Sequence, residues 1–209
     1  MWNIGCKKMV LFHQKFFNKK TFFCLFYFLP FYPSDNHFVF LQEPEQIATI
    51  EGSLYQSCVK LLPICCVDIF VYNTFNATYL LIQRLNPPAK NMFWFPGGRI
   101  YKGESFFDAA QRKCKEEINL EVLPISIIDV YTTIFPDSAW DCQTHTVNVA
   151  ILCTCQVNTS TPLVFNNDHG DYKWRSIAEA PDHVYLNDIY NKVGRYLHSI
   201  KALDGKDFE

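Results

Sequence analysis

Gly97, Gly98, Glu104, Arg112, Glu116 and Glu117 fall within residues 93–120, FWFPGGRIYKGESFFDAAQRKCKEEINL, and together could hold a divalent cation against a phosphate. A Gly-Gly turn lets the backbone approach a ligand closely, and the Gly97 carbonyl becomes a ligand that no side chain blocks. On a helix, residues three and four apart share a face, so Lys113, Glu116 and Glu117 cluster and Arg112 reaches Glu116. Adjacent carboxylates beside such a turn suit Mg²⁺, which takes oxygen ligands and tolerates bridging phosphates. Lys113 is the discordant member, a cation among the acids. Any one of these pairs, taken alone, reads as an ion pair on a solvated helix face. Their fixed spacing after the glycines favours a site. Asp68 stands inside the apolar run ICCVDIFVY, where an acid is costly unless paired or functional. His169 by itself reads as a loop histidine flanked by acids and a glycine, and His145 as structural.

The order of elements shows how such residues are carried. Residues 43–59 are helix-like and lead through Pro63 into ICCVDIFVY, which suits a buried strand. Residues 73–78 have turn chemistry, and YLLIQRL at 79–85 is the partner strand. Pro87 and Pro88 begin a loop to Trp94, and Pro96-Gly97-Gly98 forms a tight turn. Glu104 opens an amphipathic helix to about Ile118, apolar through Phe106, Phe107, Ala109, Ala110, Cys114 and Ile118. Strand-like runs follow at 123–133, 145–156 and 172–175, then a helix over about 186–203. This is a mixed α/β order. It lacks G-x-G-x-x-G after a strand, which disfavours a dinucleotide fold.

The 209 residues suffice for one domain with a full core and an appendage. Lys+Arg 19 against Asp+Glu 21 leaves a net charge of −2, with no electrostatic footprint for nucleic acid. An anionic ligand must therefore be held by local arginines and a metal. The nine cysteines form no zinc-like spacing and read as reduced thiols acting as small hydrophobes. Sequons at Asn76 and Asn158 matter only in a secretory lumen.

Residues 1–34 carry five lysines and no acid, and TFFCLFYFLPFY at 21–32 follows Lys19-Lys20. This run is short for a transmembrane helix and is interrupted by Pro30. No small-residue cleavage site follows it. A targeting or signal-anchor segment, a packed or membrane-surface extension, and a leader upstream of a start at Met9 are the three readings. The expected location is the cytoplasm, with a signal-anchor or organelle address as the alternative and membrane contact confined to residues 1–34.

From Gly98, Glu104 follows after five residues and Arg112 after seven more, then come Cys114, Glu116, Glu117 and Leu120. This resembles the Nudix box, G-x5-E-x7-R-E-U-x-E-E-x-G-U, where U is bulky and apolar. Two defined positions differ. Asn119 replaces the late glycine, and Asn is the usual substitute in a left-handed turn. Lys113 replaces a glutamate that in the family helps to bind metal or activate water, which speaks against a multi-metal pyrophosphatase. The implied fold class is α/β, a Nudix-type α/β/α sandwich whose mixed sheet carries the loop–helix box. It would span residues 43–209 behind a basic, Phe-rich extension over 1–42.

Over residues 62–193 the chain further resembles the GDP-mannose mannosyl hydrolase branch, which has a reduced box and attacks carbon. Asp68, Arg84 and Arg99 fall where that branch has its functional Asp and Arg residues, and residues 168–174, DHGDYKW, are similar to its late Gln-His…Asp-Tyr-Arg-Trp segment. The resemblance implies one Mg²⁺ (or Mn²⁺) on the Gly97 carbonyl, Glu117 and Asp168, with Glu116 nearby. It also implies His169 as general base, Arg84 and Arg99 at the departing phosphates, and Asp68 at the sugar. Gly98, Glu104 and Arg112 would be structural and orienting. In such a one-metal site the Lys113 ammonium replaces part of the missing cation charge. Asp168 stands where the branch has glutamine, and the branch's middle His and Tyr have no clear match near Phe135-Pro136 and Thr146. The expected function is Mg-dependent hydrolysis of a nucleoside-diphosphate sugar to GDP and sugar, in a homodimer as that branch commonly forms. A Nudix pyrophosphatase acting at phosphorus and an inactive nucleotide- or protein-binding module are the alternatives.

Overall fold

A computed structural model describes residues 50–204 except 137, 139–141, 161 and 167. The extension and its targeting readings lie outside the described residues. Helix α1 (Gly52–Leu61) is followed by β1 (Ile64–Asn73), β2 (Thr78–Arg84), β3 (Phe93–Trp94) and β4 (Gly97–Arg99). Then come α2 (Phe106–Ile118), β5 (Leu123–Phe135), β6 (Thr144–Cys155), β7 (His169–Ser176) and α3 (Val184–Asp204). The strands form one mixed sheet in the order β3-β2-β1-β6-β5, with β4 on β1 and β7 on β2. β1 and β6 run parallel, and the other pairs are antiparallel.

Strand side chains alternate between faces, and the two faces of β1 lead to two cores. Val67, Ile69 and Val71 meet Ala109, Ala110, Cys114 and Ile118 of α2 on one side. Phe70 meets Leu186, Ile189 and Val193 of α3 on the other, with Tyr79 and Leu152. The sheet thus lies between helices as an α/β/α sandwich. On the α3 face the pattern changes along the strands. Phe70, Ala150 and Leu152 are apolar core, whereas Cys66, Asp68, Thr146 and Asn148 line a cleft with Tyr55 and Val59 of α1.

Three local features differ from the sequence expectation. Within the described residues the first helix begins at Gly52, where the Glu51 side chain caps the Ser53 and Leu54 amides. Gly97 and Gly98 extend as β4, pairing with Asp68 and Val67, because β1 offers an open antiparallel partner there. Glu104 precedes α2, and Ser105 is the cap, accepting the Asp108 amide. At the other end Asn119 adopts the left-handed conformation expected of it, φ 50°, and its N–H donates to the Cys114 and Lys115 carbonyls. The described cysteines are all free, and Cys114, Cys153 and Cys155 are core residues. Among the described residues no helix is long and apolar enough to cross a membrane.

Candidate active site

The cleft holds about 230 Å³ and is lined by Asp68, Arg84, Arg99, Gly97 and Gly98 among others. Its floor is polar. Thr133 and Thr146 share a hydrogen bond at 3.0 Å, and Asn148 donates to Thr133. Asp68 is buried beside them, accepting from the Tyr131 hydroxyl and hydrogen-bonded by Trp94. Burial pushes its carboxyl up to about 6, although Tyr131, Arg84 and Trp94 pull the other way. The Tyr131 hydroxyl is raised by burial and by the Asp68 charge, so it remains a donor. The Cys66 thiol is pushed up to about 12 by burial, which makes it a poor nucleophile at neutral pH.

The box helix α2 approaches from the opposite face of the sheet. Arg112 grips Glu104 with two hydrogen bonds, 2.6 and 2.8 Å, donates to Glu116 at 2.9 Å and to the Arg99 carbonyl at 3.0 Å. Its guanidinium lies 3.6 Å from the Tyr101 ring centroid, and Arg99 stands 4.9 Å from that same centroid. The next residue is Lys113, whose Nζ lies 2.5 Å from Glu117 Oε1, with side chains 18% and 5% exposed. The second Glu117 oxygen accepts the Gly97 amide at 3.2 Å. Gly98 has φ +143°, a conformation that disfavours side chains, and a Cβ there would sit 2.9 Å from Lys113 Cε. The lysine stem therefore crosses the glycine loop in the space of an absent side chain.

His169 opens β7, opposite Arg84 in the sheet, and is a strand residue where a loop was expected. Its Nδ1 is 2.8 Å from Asn166 Oδ1. That atom also accepts the Asp168 amide at 3.0 Å, which identifies it as oxygen. Nδ1 must then carry the proton, leaving Nε2 with its lone pair, 3.9 Å from Glu117 Oε2. Burial lowers the His169 pKa while Glu117 opposes, so the ring is neutral near pH 7.

The resemblance places Mg²⁺ on Gly97, Glu117 and Asp168, with Glu116 nearby, and the side chains do not fit that ion. Glu116 turns to Arg112, Asp168 Oδ1 accepts from Asn86 at 2.8 Å, and Glu117 is held by an ammonium and an amide. Among the described residues no three His, Cys, Asp or Glu side chains converge as a metal cage. The reason is Lys113, which satisfies electrostatically the Glu117 carboxylate that accepts the Gly97 amide.

Asp68, Arg84, Arg99 and Gly97 thus share the cleft, and Glu117 accepts from the Gly97 amide with His169 Nε2 3.9 Å away, while Glu104 and Glu116 are gathered on Arg112 instead. Sequence reasoning missed Tyr131, Trp94 and Asn166. The signal for the first two was Asp68, since an acid in an apolar strand requires buried donors. Asn166 left no signal, because its role depends on where a loop returns to α2: its amide donates to the Glu117 carbonyl at 3.0 Å.

The sandwich and the glycine loop feeding a carboxylate-bearing helix define an α/β/α domain with a loop–helix unit at one side of its sheet. The NUDIX domain family profile matches residues 65–195, and the chain belongs to that family. Solved structures with the same fold include a MutT protein from Methanosarcina mazei Go1, at 19% identity over 64% of this chain and 95% of that one, TM-score 0.51. A MutT NUDIX hydrolase from Burkholderia pseudomallei is 19% identical over 63% of this chain and 98% of its own, TM-score 0.51. The E. coli dihydroneopterin triphosphate pyrophosphohydrolase is 16% identical over 61% and 92%, TM-score 0.50.

Proposed function

We propose that this Nudix-family chain hydrolyses a nucleoside-diphosphate sugar of the GDP-mannose type, water attacking the anomeric carbon. The observation that carries the reading is Asp68, a buried carboxyl on the polar floor of a cleft that also presents Arg84 and Arg99. A floor of Thr133, Thr146 and Asn148 suits a hydroxyl-bearing moiety, and two guanidiniums suit a diphosphate.

His169 Nε2 takes a proton from water as the new bond to the anomeric carbon forms. The bond between that carbon and the phosphate oxygen breaks, and its electron pair leaves with the nucleoside diphosphate. Arg84 and Arg99 stabilise the growing negative charge on the diphosphate, and the Asp68 carboxylate stabilises positive charge on the sugar carbon. The products are the free sugar, the nucleoside diphosphate and one proton. Asn166 holds His169 in the tautomer that this step needs.

Cleavage at phosphorus, the alternative, calls on Glu104, Glu116 and Glu117 to gather metal ions. Arg112 and Lys113 engage all three carboxylates and leave one net negative charge among them, which favours attack at carbon. Incubation with GDP-mannose in ¹⁸O-water, with and without Mg²⁺, tests the reading. Label in the free mannose is expected; label in phosphate with release of GMP would sink it.

A further inference from the structure

We propose that Lys113 is the resident counter-cation of this site: its ammonium takes the place of a divalent ion on Glu117 and receives the diphosphate directly. The inference rests on the nucleotide-sugar reading for its ligand and on geometry for its cation. Lys113 Nζ stands 2.5 Å from Glu117 Oε1, the carboxylate to which the resemblance assigns the metal. The other oxygen of Glu117 accepts the Gly97 amide. Both oxygens are thus engaged within the protein.

The placement is built rather than incidental. Gly98, at φ +143°, carries no Cβ, and the lysine stem runs past the place where one would stand, Cε at 2.9 Å and Nζ at 3.3 Å from it. The side chain is mostly buried, and its charge is felt by His169 and by Cys66 in the cleft. Of the other carboxylates around the loop and helix, Glu104 and Glu116 both turn to Arg112.

Charge counting agrees. A lysine in place of a glutamate changes the local charge by two positive units, the charge of one Mg²⁺. An ammonium has three donors, and Glu117 Oε1 takes one; the others can turn to phosphate oxygens. A divalent ion entering beside the ammonium would meet like-charge repulsion at close range. Arg84 and Arg99 line the cleft, and the lysine adds a third cation beside the glycine loop, part of whose charge Glu117 offsets.

The test uses the full chain stripped of metals. Mn²⁺ binding is titrated by the loss of the free-ion electron paramagnetic resonance signal. GDP binding is measured by calorimetry in EDTA and again in Mg²⁺. The expected results are no Mn²⁺ binding below about 1 mM and GDP affinity that is the same in both buffers within a factor of about 3. Lys113→Met should weaken GDP in EDTA by about tenfold or more, and Lys113→Glu should gain Mn²⁺ binding and bind GDP only with metal. Near-UV circular dichroism verifies that each variant is folded; if Lys113→Glu does not fold, the wild-type titrations and Lys113→Met decide. Wild-type binding of Mn²⁺ at micromolar concentration, or loss of GDP binding in EDTA, overturns the proposal. The Mn²⁺ arm uses no substrate, so its result is separate from failure of the ¹⁸O experiment, which would overturn only the reaction.

Discussion

Tyr131 on the edge strand β5 reaches past β6 to donate its hydroxyl to Asp68 on β1. Asp68 pairs in register with Ala150 of β6, and Tyr131 with Asn148, so the bond crosses an intervening strand over a small residue. Ala150 leaves the gap through which the ring passes, and it is fully buried. The acid that one strand carries is therefore completed by a strand two places away.

Tyr131→Phe removes a donor that holds the Asp68 carboxyl down, so that carboxyl should rise above about 6. Activity at pH 7 should fall and partly recover at higher pH. Leaving a buried acceptor without this donor should also cost about 1–3 kcal/mol. Denaturant melts and pH–rate profiles of the variant check both outcomes.

Asp68 gives a pH prediction whose sign is opposite to that of a salt-bridged acid. Its folded-state pKa of about 6 lies above the ordinary aspartate value of 3.8, so the folded protein holds a proton that the unfolded chain releases. Stability should fall as pH rises from about 4 to 6, and the penalty should persist above that. Asp68→Asn should then raise the melting temperature at pH 8, by on the order of 2 kcal/mol in stability, with the gain vanishing near pH 4. The same substitution should lower turnover of the nucleotide sugar, and the wild-type rate should decline below about pH 6.

His169→Gln keeps a polar side chain but loses the basic nitrogen. Turnover should fall by roughly 10²–10⁴, with little change in GDP affinity. Asn166→Ala should produce a smaller loss, because the ring remains but its tautomer is no longer held. Rate and calorimetry measured on the same preparations distinguish the two effects.

Arg112→Ala should cost about 3–5 kcal/mol, since Glu104 is nearly buried and would lose both of its guanidinium hydrogen bonds. Arg112→Lys should not restore it, because an ammonium cannot match the paired geometry. Thermal melts of both variants are the measurement.

Much of this arrangement was legible in the residues. The apolar run around Asp68 gave β1, the turn at 73–78 gave the β1–β2 corner, and the spacing from Gly98 to Leu120 gave the loop and helix. Asn119 was legible as a left-handed residue because few side chains tolerate that conformation. What escaped was fixed by three-dimensional competition. A lysine and a glutamate four apart on a helix can pair, and the spacing put Arg112 within reach of Glu116, but nothing in it says that Glu117 points inward. The helix rotation decides it, through burial of Ala109, Ala110, Cys114 and Ile118 in the core. The extension of Gly97–Arg99 as a strand was likewise invisible, because it depends on a vacant edge beside the first residues of β1.

β7 pairs with β2 from Thr78–Ser176 to Arg84–His169. The position of the His169 imidazole is therefore set by sheet register, and Asn166 anchors the chain just before it. The connection upstream is held as well: Asn73 bonds both the Val157 carbonyl and the Val157 amide, and Val157 and Leu163 pack against the core beside α2.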